Sequence, residues 1–185
     1  MQCYSQAESA PILASSPLAV LEHGHVGLAR DMTRIAARPQ GDFAGLGLYI
    51  DNLLRWFPPD TGRIVFLRDW GFGALAQPYP FVMAARRGLG EQRELGDAPI
   101  HHFPPLAWTW DALEETNEQK TEGGLLSGLL IAMFCFGWDG WFVAQNCPDA
   151  IEFWEGNIFF YSDNAERRKV AQNLCDNFGF GPKAK

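Results

Sequence analysis

Paired cysteines, basic charge and long apolar runs are what this chain has least of, and each shortage removes a class of function. Its 185 residues hold four cysteines, Cys3, Cys135, Cys147 and Cys175. None forms a CxxC pair, which excludes a zinc ribbon and a thioredoxin-type redox motif. Buried free thiols are the reading for Cys135, in an apolar run, and for Cys175, in an expected helix. Lys and Arg number 15 against 22 Asp and Glu, for a formal net charge of −7. Such a chain is repelled by a phosphate backbone, so no nucleic-acid partner is expected. A basic protein partner would be attracted, because complementary charge speeds encounter. The uncharged stretch Gly123 to Trp138 covers sixteen residues and includes four glycines. A membrane-spanning helix needs about 20 apolar residues, so this stretch is read as buried core and no membrane partner is expected. The N-terminus has neither a basic region nor a long apolar one, so no secretory signal is read and a cytoplasmic location is expected. The phosphate-cradling GxxxxGK[ST] loop, the GxSxG elbow and the HExxH metal motif are all missing.

What is present is an ordinary globular composition, 47% hydrophobic, with a high aromatic share of 14%. Residues 1–15 are small, polar and interrupted by proline, and read as a mobile extension. Residues 16–185 read as one α+β domain with helices early, an antiparallel meander in the central and C-terminal part, and a closing helix. Ser16-Pro17 has the form of a helix start, and Leu18, Leu21, Leu28, Met32 and Ile35 fall near helical spacing. Asp42 is placed to cap a second helix over 43–57, whose apolar stripe is Phe43, Leu46, Ile50, Leu53, Leu54 and Phe57. Arg63 to Arg68 is β-branched and apolar between charges and reads as a strand. Phe81 to Ala85 reads as another strand, and Gly88 to Pro99 as an exposed connection. Thr109 and Trp110 are placed at the start of a helix extending to Glu122.

The densest stretch is Ile131 to Asn164, with three of the seven tryptophans and two of the four cysteines. Ile131 to Phe136 reads as a buried strand, Asp139-Gly140 as a tight turn, and Trp141 to Gln145 as the returning strand. Ile151 to Trp154 and Ile158 to Tyr161 form a further hairpin about Gly156-Asn157. Asp163 or Asn164 caps the last helix, and Gly179 is placed to end it.

Chemistry-bearing groups are few. Asp111, Glu115, Glu118 and Glu122, with Glu114 beside them, share one face of the expected helix. Like charges at that spacing cost roughly 0.2–0.5 kcal/mol per pair, so a role outside helix stability is one reading and a solvated face the other. His23 with His25, and His101 with His102, could join distant carboxylates around a metal, but no spacing specifies a site; no metal and no cofactor is expected. Cys147, in a turn before Asp149, could be a nucleophile with His101 or His102 as base, or simply a structural turn residue. Glu152 alternates with Ile151 and Phe153 and is expected on the solvent face of its strand. The aromatics Trp138, Trp141, Phe153 and Trp154 are either core or interface anchors. Trp138 and Trp141, which flank Asp139-Gly140, are the preferred surface candidates.

The C-terminal third resembles the SMI1/KNR4 (SUKH) superfamily. The resemblance lies in FGWDGWFVAQN from Phe136 to Asn146, AIEFWEGNIFF from Ala150 to Phe160, and the polar helix from Ser162 to Leu174. In that superfamily an Asp/Gly-containing turn leads into a strand, a strand with a Trp-containing motif follows, and a helix closes the unit. Many members are bacterial immunity proteins, so the resemblance implies a non-catalytic protein that binds and neutralises a cognate toxin. Its contact surface would then comprise Asp111, Glu114, Glu115, Glu118 and Glu122, facing a basic toxin surface, with Trp138, Asp139 and Trp141 as anchors. The alternatives are a small enzyme with a dispersed site drawn from His101, His102, Cys147 and Asp149, and a regulatory or phage-encoded adaptor.

Overall fold

The last hairpin of the meander from Asp139 to Tyr161 is set by backbone positions with left-handed dihedrals. Glu155 (φ 50°) and Gly156 (φ 70°) make a two-residue turn with both φ values positive, the geometry whose twist matches a β-hairpin. The Asn157 side chain locks that turn by donating to the carbonyls of Trp154 and Glu155, both at 3.1 Å. The computed structural model describes residues 2–22, 25–39, 45–69, 106–110, 117–177 and 180–182. In chain order these form β1 (Gln2–Ser5), α1 (Gln6–Leu13), β2 (Leu18–Val20), β3 (Val26–Leu28), β4 (Arg34–Pro39), α2 (Leu46–Leu54), β5 (Arg63–Asp69) and β6 (Leu106–Trp110). Then follow α3 (Asn117–Phe136), β7 (Asp139–Ala144), β8 (Ala150–Trp154), β9 (Asn157–Tyr161), α4 (Ala165–Asn177) and β10 (Phe180–Pro182). Eight strands make one antiparallel sheet in the order β1-β6-β5-β7-β8-β9-β4-β10, and β2 pairs with β3 in a separate hairpin. The chain is therefore α+β, as its pattern implies.

Both faces of the sheet are covered. On one face Val65, Leu67, Phe142, Ile151, Phe153 and Phe160 pack with Ile50 and Leu53 of α2, Leu126, Leu130 and Met133 of α3, and Leu174 of α4. On the other, Ile64, Phe66, Trp141, Val143, Ala150, Phe159 and Tyr161 pack with Leu13, Leu18 and Val26. This second layer is built by α1 and the β2–β3 hairpin. The Trp141 indole N–H donates to the Val26 carbonyl at 3.2 Å and ties it to the sheet. Residues 2–15 are thus not a loose extension. Gln2–Ser5 pairs with β6, Leu13 is buried, and the Asn146 N–H donates to the Ser15 carbonyl at 2.6 Å.

Other expectations also change. Ser16 does not begin a helix. Its hydroxyl donates to the Leu13 carbonyl at 2.8 Å, and the Ser15 hydroxyl to the Ile12 carbonyl at 2.8 Å, so the two serines close α1. Leu18, Leu28 and Ile35 fall on strands β2, β3 and β4 instead of one helix, and β2 and β3 pair as a hairpin from Leu18 with Leu28 to Val20 with Val26. At Gly27 an added Cβ would lie 2.8 Å from Leu21 Cδ1. Thr109 and Trp110 end β6 opposite Ile64 and Arg63 instead of starting a helix. Ile131 to Phe136 is the last part of the 20-residue helix α3, not a strand. Leu126, Leu129, Leu130 and Met133 form its buried stripe at three- and four-residue steps. The turn before β7 uses Gly137 (φ 63°), while Asp139 and Gly140 already lie in the strand. The expected helix 43–57 is observed as Leu46–Leu54 with Tyr49, Ile50, Leu53 and Leu54 buried, and Asp42 and Phe43 lie outside the described residues. The strand expected at 81–85, the connection expected at 88–99 and the terminator Gly179 also lie outside them.

Arg63 begins β5 and is only 1% exposed. Its guanidinium donates to the carbonyls of Pro58 at 2.9 Å, Phe57 at 3.4 Å and Leu54 at 3.5 Å, and to the Thr61 hydroxyl at 2.5 Å. A fixed cation thus meets the negative end of the α2 dipole, where free carbonyls need donors.

Candidate functional site

Trp138 and Trp141 are not surface anchors. They are 5% and 4% exposed, and they belong to the cores on opposite faces of the sheet. Strand alternation separates them, because Trp141 points away from the helices while Trp138 precedes β7 under α3. Asp139 stays half-buried at the start of β7, where its carboxylate accepts the Glu155 N–H at 2.8 Å. Asp111, Glu114 and Glu115 lie outside the described residues. Glu118 and Glu122 fall in the first turns of α3, and their side chains lie outside what is described.

Cys147 and Asp149 do meet, with the thiol 3.7 Å from the Asp149 carboxylate, and both are buried. Burial pushes the Cys147 thiol up, away from the thiolate a nucleophile requires. Asp149 is committed elsewhere, in an ion pair with Arg167. The Arg167 guanidinium lies 4.8 Å from the Trp56 ring centroid and donates to the Trp56 carbonyl, while the Trp56 indole donates to the Arg167 carbonyl at 3.2 Å. This cluster fastens α4 to the end of α2 and to the β7–β8 turn. His101 and His102 lie outside the described residues. Among the described residues no three His, Cys, Asp or Glu side chains are grouped to hold a metal ion. No described helix is long and apolar enough to cross a membrane.

The unabsorbed chemistry lies at one end of the sheet, on the face opposite α2, α3 and α4. Glu152 is 6% exposed, contrary to its expected solvent position. The sequence shows its alternation but not that the second face is also covered. Its Oε2 accepts from the Tyr161 hydroxyl at 2.7 Å. Its Oε1 lies 3.8 Å from Arg68 Nη1, and Arg68 Nη2 is 3.5 Å from Asp139 Oδ2. From the other side Arg34 lies over the Phe159 ring at 5.1 Å and reaches the Tyr161 hydroxyl. Burial raises the Glu152 carboxyl above its ordinary value, outweighing the Tyr161 bond and the fields of Arg68 and Arg34, which oppose the rise. Tyr161 is pushed up to about 12, first by burial and then by its carboxylate neighbour.

Trp154 forms the rim of this cluster and, among the described residues, is the large aromatic that is exposed, at 40%. Arg68 sits 5.9 Å from its ring and Phe159 lies 6.3 Å away, tilted. The local signal for it is its place as the last strand residue before the Glu155-Gly156 turn, where the sheet face runs out. Comparison with protein-family models, with curated proteins and with solved structures finds no match to this chain.

Proposed function

We propose that this chain is a non-catalytic binding protein that engages another protein through the hairpin tip carrying Trp154. Following the resemblance of its C-terminal third, we propose that it is an immunity protein that occupies and neutralises an antibacterial toxin. The observation that carries the reading is Trp154, 40% exposed, backed by a guanidinium and fixed on a two-residue turn. Tryptophan and arginine dominate binding hot spots because a rigid aromatic gives large contact area at small entropic cost. The net charge of −7 favours a basic partner. The acidic run of Asp111, Glu114, Glu115, Glu118 and Glu122 is the second element of the proposed surface. It would act on the rate of encounter more than on the final affinity.

The test is a growth-rescue assay. Genes adjacent to the one encoding this chain are expressed singly to find a toxic product, and this chain is then co-expressed. Protection is expected, and Trp154→Ala should weaken binding by about 2 kcal/mol, roughly 30-fold, with its melting temperature kept. Charge reversal at Glu115 and Glu118 should slow association and flatten its salt dependence. The absence of any toxic neighbour, or full protection and unchanged affinity with Trp154→Ala, would refute the reading.

A further inference from the structure

The exposed indole of Trp154 is approached from two sides by groups that one residue connects. The β7–β8 ladder ends where Gly140 pairs with Phe153, one residue short of Trp154. Beyond that end Asp139 reaches across with its side chain. Its Oδ1 accepts the N–H of Glu155, the residue after Trp154, at 2.8 Å. Its Oδ2 lies 3.5 Å from Arg68 Nη2, and the Arg68 guanidinium carbon lies 5.9 Å from the centre of the Trp154 ring. Asp139 thus meets both the backbone that carries the indole and the cation beside its ring. The β5–β7 register shifts between Leu67 and Asp69, so Arg68 is left out of that ladder. Such irregularities re-aim a side chain and recur beside functional sites. Glu155 adds a second sign, since its φ of 50° is one that a residue with a Cβ seldom adopts. Backbone of that kind persists only where its surroundings over-determine it, and it gathers at ligand clamps. Here the surroundings are Asp139 on the Glu155 N–H and the Asn157 amide on the Trp154 and Glu155 carbonyls.

We propose that Asp139 is the positioning residue of the partner-binding tip, fixing the Trp154 indole in one orientation, through the Glu155 amide and Arg68, before a partner arrives. This deepens the reading of Trp154 as the contact residue and rests on it. An exposed indole that turns freely must be ordered when a partner binds, and that ordering is subtracted from the affinity. An indole held in place beforehand keeps its contact area and avoids the loss, which is how binding loops gain affinity without new contacts. Asp139 itself is half-buried and need not touch the partner. It acts through Trp154, so its removal is felt in binding only while the indole is present. The hydrogen bond to the Glu155 N–H requires an acceptor oxygen at this position, which asparagine also supplies and alanine does not.

The experiment is nitrogen relaxation of the full chain with no partner present, read at the Trp154 indole N–H and the Glu155 amide. Order parameters of about 0.85 are expected for both in the parent. Asp139→Ala should lower both below about 0.6 and leave the amides of Phe153 and Ile158 rigid. Asp139→Asn should restore both, because its side-chain oxygen still accepts the Glu155 N–H. Arg68→Gln should loosen the indole and leave the Glu155 amide rigid, which keeps the proposal testable if Asp139→Ala does not fold. A parent whose indole is already loose, or an Asp139→Ala variant as ordered as the parent, would overturn the proposal and leave the partner-binding reading standing. With the toxic neighbour from the growth-rescue assay as the probe, Asp139→Ala should weaken binding about tenfold and add nothing to Trp154→Ala. An equal loss in both backgrounds would overturn the positioning role. Absence of any toxic neighbour would remove the partner reading, and the proposal with it, whatever the relaxation shows.

Discussion

Replacing Gly140 by alanine should be among the most damaging methyl additions in this protein. Gly140 pairs with Leu67 across β5 and β7 and with Phe153 across β7 and β8, just where the β5–β7 register shifts between Leu67 and Asp69. A Cβ at this position would lie 2.3 Å from the Phe66 carbonyl oxygen, 3.1 Å from Met133 Cε and 3.2 Å from Leu67 Cα. The methionine tip can move, but the two backbone atoms belong to a central strand. An ordinary carbon–oxygen contact is about 3.3 Å, so the strands must part locally by about 1 Å. Overpacking of this kind costs about 1–3 kcal/mol, and stretching two ladder hydrogen bonds adds roughly 1 kcal/mol. The stiffer unfolded chain of the alanine variant returns about 0.4–1 kcal/mol. The net expectation is a loss of about 2–3 kcal/mol, or about 4–12 °C in melting temperature for a chain of this size. Gly124 and Gly128 provide the control. Both lie in α3 with nothing within 4 Å of an added Cβ. Alanine there should stabilise by about 0.5–1 kcal/mol each, since glycine weakens a helix interior. Urea denaturation of the three variants reads both signs in one series. A Gly140→Ala variant as stable as the parent, or helix variants that lose stability, would refute the argument.

Two further outcomes follow from the same end of the sheet. Glu155 holds φ 50° without being glycine, so Glu155→Gly should raise stability by about 1 kcal/mol, about 2–4 °C, and a lower melting temperature would contradict the assigned turn. Glu152 has its carboxyl raised in the folded state. Its contribution is therefore full below the ordinary glutamate range and is lost as pH climbs through its folded value. Melting scans between about pH 4 and about pH 7 should show the parent losing ground to Glu152→Gln as pH rises, and a constant difference would sink this account.

The legible part of the fold was the part made of local signals. Strands β8 and β9 and strand β5 announce themselves through alternation and turn residues within a few positions, and the hairpin expected about Gly156-Asn157 turns one residue earlier, at Glu155-Gly156, with Asn157 already in β9. Asn164 accepts the N–H groups of Glu166 at 2.9 Å and Arg167 at 3.2 Å, so the cap of α4 was also visible in the sequence. What escaped depends on distant contacts. Ile131 to Phe136 looks like a strand because a short apolar run carries no period of its own, and only the stripe from Leu126 onward marks it as helix. Leu18 to Ile35 mimics helical spacing across three strands. Alternation places Glu152 opposite Ile151, yet nothing local says that α1 and the β2–β3 hairpin cover that side. The site was misread for the same reason. Trp138 and Trp141 flank a Gly-containing turn signal and look exposed, but the turn lies at Gly137, and among the described tryptophans the exposed indole is Trp154, one hairpin later.

Arg63 gives the molecule an order of opening. Its guanidinium holds the carbonyls at the end of α2 and in the following turn, while its backbone pairs with both Trp110 and Ala144. The last turn of α2 cannot fray without stranding a buried cation, and β5 cannot slip without pulling that cation from its carbonyls. Helix and central strand therefore open together, as one unit in hydrogen exchange. Their amides are expected to exchange at one common, slow rate.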